Sequence, residues 1–188
     1  DLGDTTEPEK SATAGLKFKL LADDTYEVTD YNGKATEVNI PSKYNGKKVA
    51  SIGEAAFGSS SDWVKRITIP SSVTSIGDKA FMCCTKLTDI TLPKGLKRIG
   101  YSTFESCTGL TDISLPGSLT VIERSAFWGC TNLKSITIPD SVTTIEEIAF
   151  YDCESLKSVK LGKNITYIGN HTFAYCISLT SIKIPASV

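Results

Sequence analysis

Six cysteines, one histidine and a few adjacent carboxylates are the side chains of this 188-residue sequence on which chemistry could rest. Cys84, Cys107, Cys130, Cys153 and Cys176 stand 23 residues apart, a step that gives one thiol to each structural unit. If the units stack as strands do, neighbouring thiols lie about 4.8 Å apart with parallel side chains, wider than the ~3.8 Å between β-carbons in a relaxed disulfide. A straight column also cannot converge four thiolates on one zinc ion. Buried, reduced, packing thiols are the expectation. Cys83 falls outside the column. Its slot reads Ser106, Gly129, Asp152 and Tyr175 in later units, so it is expected at the surface as an incidental, reactive or dimer-forming thiol.

A serine or cysteine nucleophile needs a histidine as proton shuttle. The single histidine, His171, shares its slot with Lys79, Ser102, Ser125 and Ile148, a varied set expected to be exposed. Asp23 and Asp24, like Glu146 and Glu147, are chain neighbours whose side chains point apart in a turn, a poor arrangement for acid and base work on one substrate. No glycine-rich phosphate loop or calcium loop is present. The sequence therefore predicts no enzyme, no cofactor and no metal site.

What positions these residues is a repeat. Phe57, Phe81, Phe104, Phe127, Phe150 and Phe173 recur at steps of 24, 23, 23, 23 and 23 residues. A period in this range means one small supersecondary unit stacked on copies of itself, each burying an apolar face that it could not bury alone. From Pro93 to Leu115 the apolar slots are Leu96, Ile99, Phe104, Cys107, Leu110, Ile113 and Leu115. The last two, spaced by two, predict one short strand per coil, ended by Pro70, Pro93, Pro116, Pro139 or Pro185, with Gly162 keeping the turn in the remaining coil. A second short strand is expected at Val73–Ile76 and its equivalents. Before each phenylalanine stands a small residue (Ala56, Ala80, Thr103, Ala126, Ala149, Thr172), as a coil interior with room for one ring per layer requires. Tight helical or 3-10 turns should carry this pair. The fold class is thus a solenoid of parallel stacked coils, mostly β.

The pattern I-G-x-x-A-F-x-x-C-x-x-L-x-x-I-x-(L/I)-P, clear from Val64 to Pro185, resembles the BspA-like leucine-rich repeats of bacterial and protist surface proteins, over about residues 38–188. The resemblance implies a secreted or surface-displayed binding module, adhesive in some members, acting on a host protein or glycan. A structural spacer or cap of a larger surface protein, and an accessory domain of a secreted hydrolase, are the alternatives.

Domain organisation follows from where the period holds. Residues 1–15 are polar without apolar periodicity and predict a disordered tether. Residues 16–40 alternate in short β-type runs around Asp23-Asp24 and Asn32-Gly33, which predicts an N-terminal β-hairpin cap. Residues 41–188 form the solenoid of about six coils, the last truncated in mid-coil, as expected of a mature product or fragment. With 20 basic against 21 acidic residues there is no electrostatic footprint for nucleic acid, and no apolar run long enough to span a bilayer.

Two surfaces qualify as partner sites. Outward columns of the long-repeat strands read Lys65, Thr88, Thr111, Lys134, Lys157, Thr180, then Arg66, Asp89, Asp112, Ser135, Ser158, Ser181, then Thr68, Thr91, Ser114, Thr137, Lys160, Lys183. They predict a flat, hydroxyl-rich face, basic toward Lys157, Lys160 and Lys183, on which a protein or glycan could lie. The slot after each phenylalanine reads Gly58, Met82, Glu105, Trp128, Tyr151, Ala174, so Trp128 and Tyr151 should be neighbours one layer apart, with Ile148 nearby.

Overall fold

A computed structural model describes residues 11–58 and 62–188; most of the predicted tether lies outside them. Residues 11–15 are tied down, with Thr13 N–H donating to Asn39 O at 3.1 Å and Asn32 N–H to Gly15 O at 3.1 Å. The chain opens as an antiparallel hairpin of β1 (Leu16–Leu20) and β2 (Tyr26–Tyr31), with a register shift at Lys17/Phe18. A second hairpin joins β4 (Lys43–Tyr44) to β5 (Lys47–Ile52) through Asn45 and Gly46, both at positive φ, as a tight two-residue connection demands.

From β2 onward the coils run parallel and no seam separates hairpin from solenoid. β2 pairs with β5, which pairs with β7 (Ser75–Ile76). β3 (Glu37–Asn39) pairs with β6 (Arg66–Thr68), and β6 with β8 (Asp89–Thr91). Tyr31 supplies the first ring of the core column, 5.8 Å from Phe57. The next four centroid separations along the column are 5.3, 5.3, 5.3 and 5.1 Å, and Phe150 to Phe173 is 5.5 Å. Phe57 through Phe150 are fully buried.

The short strands of the Val-x-x-Ile side form a continuous ladder in the second half of the molecule: β9 (Arg98–Ile99), β10 (Val121–Ile122), β12 (Thr144–Ile145) and β14 (Tyr167–Ile168). Arg98 stitches this side together, one guanidinium nitrogen 2.8 Å from Asp78 and the other 2.7 Å from Glu123.

The other side is interrupted. One strand per coil was expected there, but residues 112–114 and 181–183 form none. β11 (Ser135–Thr137) and β13 (Ser158–Lys160) pair only with each other. Among the described residues, the one ladder bond made by 111–115 runs from Lys134 N–H to Thr111 O, 3.0 Å. Ile113 keeps its inward position at 8% exposure. The side chains hold this segment while its backbone stands off from both neighbours.

The turn carrying each phenylalanine has a construction that the repeat pattern does not announce. Two residues per coil lie in the left-handed region: Lys79, Ser102, Ser125, Ile148 and His171 two before the phenylalanine, at φ 52–58°, and Cys83, Ser106, Gly129, Asp152 and Tyr175 two after it, at φ 58–70°. The reversal turns alternate N–H groups along the solenoid axis. Lys79, Phe81 and Cys83 donate to Tyr101, Thr103 and Glu105 carbonyls in the next coil (2.8, 3.0 and 2.7 Å), while Met82 and Cys84 donate back within the turn to Lys79 and Phe81. Most N–H groups of the turn are thereby used in the coils that precede another coil, which offsets the steric cost of about 1 kcal/mol or more per left-handed residue.

That cost is largest for Ile148, a β-branched side chain at φ 52°. Ile148→Asn is expected to raise unfolding free energy by about 1 kcal/mol, because asparagine tolerates this conformation. Urea denaturation of the variant beside the parent chain checks it; an unchanged or lower midpoint would contradict the strain argument.

Gly162 stands where other coils carry proline, and the turn is kept. A β-carbon there would lie 2.3 Å from the Pro139 carbonyl oxygen, so glycine serves close approach between coils.

Candidate functional site

All six cysteines are free thiols. The five of the column are buried, and their role is more specific than filling space. Each Sγ–H reaches back one coil to a phenylalanine carbonyl: Cys107 to Phe81, Cys130 to Phe104, Cys153 to Phe127 and Cys176 to Phe150, at 3.1–3.2 Å, with Cys84 to Phe57 longer at 3.8 Å. Burial pushes the Cys84 and Cys130 thiols up to about 12 and raises Cys107 well above its ordinary value. A hydrogen bond with Cys176, and then burial, raises Cys153. Held protonated, Cys84, Cys107, Cys130 and Cys153 are donors and not nucleophiles, whereas the hydrogen bond with Cys153 lowers the Cys176 thiol on the last coil.

A folded thiol that holds its proton above the ordinary 9.0 contributes fully below that pH, and its contribution is withdrawn as pH rises toward 12. At pH 10.5, 1.5 units above the ordinary value, Cys130 alone should remove about 2 kcal/mol. Unfolding free energies at pH 8 and pH 10.5 for the chain and for Cys130→Ala check this. The parent should lose about 2 kcal/mol more than the variant between the two pH values, and equal losses would refute the assignment.

Cys83 is half-buried, against the expected exposure, because its positive φ turns the residue along the axis toward the next coil. Ser102 and Ser125 in the His171 slot are buried rather than exposed, for the same reason, while His171 itself is exposed on the last coil. Among the described residues no group of three or more His, Cys, Asp or Glu side chains could hold a metal ion. Among the described residues no helix is long and apolar enough to cross a membrane.

On the interrupted face, charge is distributed unevenly. Toward the N-terminal end Arg66 is neutralised by Asp89 at 2.7 Å and Glu37 at 3.9 Å. Toward the C-terminal end Lys134, Lys157, Lys160 and Lys183 are exposed, and no ion pair engages them among the described residues. Lys157 N–H donates to Lys134 O at 2.9 Å and Lys160 is registered beside Thr137, so these lysines occupy adjacent layers. Where the ladder breaks, an open groove of about 510 Å³ is lined by Asp112, Ile113, Ser114, Leu115, Gly117, Ser135, Thr137 and Pro139. Thr137 thus joins the groove to the lysines. The groove was not legible in the sequence, because it arises from absent hydrogen bonds.

On the turn edge Trp128 and Tyr151 meet edge to face, ring centroids 5.8 Å apart, in adjacent layers as expected. Tyr175 extends the row, 5.0 Å from Tyr151. It belongs to the next slot along, two after the phenylalanine, so counting by columns overlooked it. Partial burial, then a hydrogen bond with Tyr175, holds the Tyr151 phenol above its usual range.

Comparison with known proteins agrees with this geometry. The profile of the BspA type leucine-rich repeat region matches residues 30–145 and 102–188, in six copies. A leucine-rich repeat protein from Bacteroides ovatus is 38% identical over 97% of this chain, with a TM-score of 0.84. A leucine-rich cell surface protein from Faecalibacterium prausnitzii is 30% identical over 93%, with a TM-score of 0.77. The chain spans 48% and 54% of the lengths of those two. The T. pallidum leucine-rich repeat protein is 29% identical, with 90% of this chain and 91% of that one covered and a TM-score of 0.74. No curated protein matches in sequence.

Proposed function

This chain belongs to the BspA-type leucine-rich-repeat family, and from that premise we propose that it is a non-catalytic binding module displayed outside a bacterial cell, taking an acidic protein or glycan ligand on its interrupted face. The observation that carries the reading is the group Lys157, Lys160 and Lys183: exposed, in no close ion pair among the described residues, and continuous through Thr137 with the hydroxyl-lined groove. Exposed lysines left unpaired on one side of a nearly neutral chain steer an anionic partner to that side. The hydroxyls and unpaired backbone groups of 112–115 then offer short-range hydrogen bonds in place of those that the ladder does not make. The cell surface location rests on the family and on the F. prausnitzii relative.

Binding of the purified chain to an array of extracellular-matrix proteins and glycans tests the proposal, with a Lys157→Glu/Lys160→Glu/Lys183→Glu variant alongside. Saturable binding that the variant loses supports the reading. Absence of any signal favours a spacer within a longer surface protein.

A further inference from the structure

The row Trp128, Tyr151, Tyr175 lies on a different edge from the lysines and takes no part in the proposed site. Its rings meet edge to face and tilted outside the core, with Trp128 37% exposed in an inner coil and Tyr175 63% exposed on the last coil, where Ile177 is exposed too. Large apolar side chains gathered on an otherwise polar repeat surface mark an interaction patch.

The charge around this patch is opposite to that of the strand face. Across residues 123–132, 146–155 and 169–178 the edge carries Glu123, Glu146, Glu147, Asp152 and Glu154 against Arg124 alone. Glu123 is taken by Arg98, and Glu146 accepts the Arg124 backbone N–H at 2.9 Å. Glu147 lines a shallow groove with Arg124 and Tyr167. Asp152 is in no ion pair among the described residues, directly follows Tyr151 in the chain and acts electrostatically on its phenol. Aromatic faces beside a free carboxylate suit a guanidinium, which is planar, weakly hydrated, stacks on rings and bonds a carboxylate through paired N–H groups.

We propose that the Trp128–Tyr151–Tyr175 row with Asp152 beside it, on an edge acidic in sequence, is a second docking surface, whose occupant is an extended, arginine-bearing segment of a partner protein. Ring separations of 5.8 and 5.0 Å give the row a length that about four extended residues cover. Two arginines on such a segment reach successive rings, and the backbone between them needs no pocket.

The test uses the full chain carrying Trp63→Phe, which leaves Trp128 as the only tryptophan. It is titrated with the peptide Arg-Gly-Arg-Gly-Arg-Gly-Arg at about 0.15 M salt, where exposed charges are screened beyond roughly 8 Å. Peptides of equal length with lysine or glutamate in place of arginine serve as comparisons. The expected result is a saturable change in Trp128 emission with the arginine peptide, weaker binding by the lysine peptide and none by the glutamate peptide. Tyr175→Ala, at a mostly exposed position, should weaken binding about tenfold. The three-lysine reversal of the strand face should not weaken it, which separates this site from the proposed ligand face. Equal affinities for the arginine and lysine peptides, or an unaltered affinity in Tyr175→Ala, would overturn the proposal. So would Trp128 emission that depends on protein concentration without peptide, since the row would then meet a second copy of the chain.

Discussion

Phe127→Ala should cost about 4 kcal/mol, a large part of the 5–15 kcal/mol that holds a domain of this size together. Phe127 is fully buried and lies between Phe104 at 5.3 Å and Phe150 at 5.1 Å, with interplanar angles of 11° and 4°. Removing the ring leaves a cavity that neighbours cannot fill, because each layer's interior holds one ring beside one small residue, here Ala126. Thiol bonds add to the loss, since Cys130 and Cys153 hold the Phe104 and Phe127 carbonyls at 3.1 and 3.2 Å around the vacated ring.

A stacked repeat is coupled only through neighbours, so the damage should also be visible as lost cooperativity. Trp63 reports on the coils before the substitution and Trp128 on those at and after it. In single-tryptophan chains the two urea transitions coincide for the parent and should separate for Phe127→Ala, with the Trp128 side unfolding first. Phe173→Ala, at a half-buried position on the last coil, should cost less than half as much. Equal losses at the two positions would mean that the ring column is not the common core.

The second large effect concerns binding. Reversing Lys157, Lys160 and Lys183 to glutamate should lower affinity for an acidic ligand of the strand face about 100-fold, or roughly 2.7 kcal/mol. Most of the loss should lie in the association rate, since exposed charges act chiefly by steering, and it should shrink as salt rises. Arg66→Glu on the same face should do far less, because Arg66 is already neutralised by Asp89. A comparable loss from Arg66→Glu would indicate a general charge effect instead of a site.

Much of this architecture could be read in the sequence because solenoid layers repeat the same side-chain demands. A ring, a small residue beside it, a thiol and a strand-ending proline recur because every coil interior has the same shape, and the rings, thiols and prolines fall where the period put them. What could not be read depends on backbone geometry that side chains do not encode. Lys79, Ser102, Ser125 and Ile148 have nothing in common chemically, yet all adopt the same left-handed conformation, in which each donates its N–H along the axis to the next coil. Asp112-Ile113-Ser114-Leu115 has the pattern of Asp89-Ile90-Thr91-Leu92, whose first three residues do form a strand, so the pattern alone does not decide whether the backbone pairs. Trp128 beside Tyr151 was legible from a shared column one layer apart, whereas Tyr175 reaches the row from the adjoining column.

The detachment of residues 112–115 provides the most direct test of the proposed ligand face. Ile113, Ser114 and Leu115 have backbone N–H groups without a backbone acceptor among the described residues, so they should exchange hydrogen quickly in the free chain, unlike the laddered amides of the Phe turns. Amide exchange should be followed by mass spectrometry with and without a saturating ligand from the binding array. The account predicts that protection on binding concentrates in 111–117, with smaller changes through 134–137 and 157–160. Protection confined to another edge, or none in 111–117 at saturation, would contradict it.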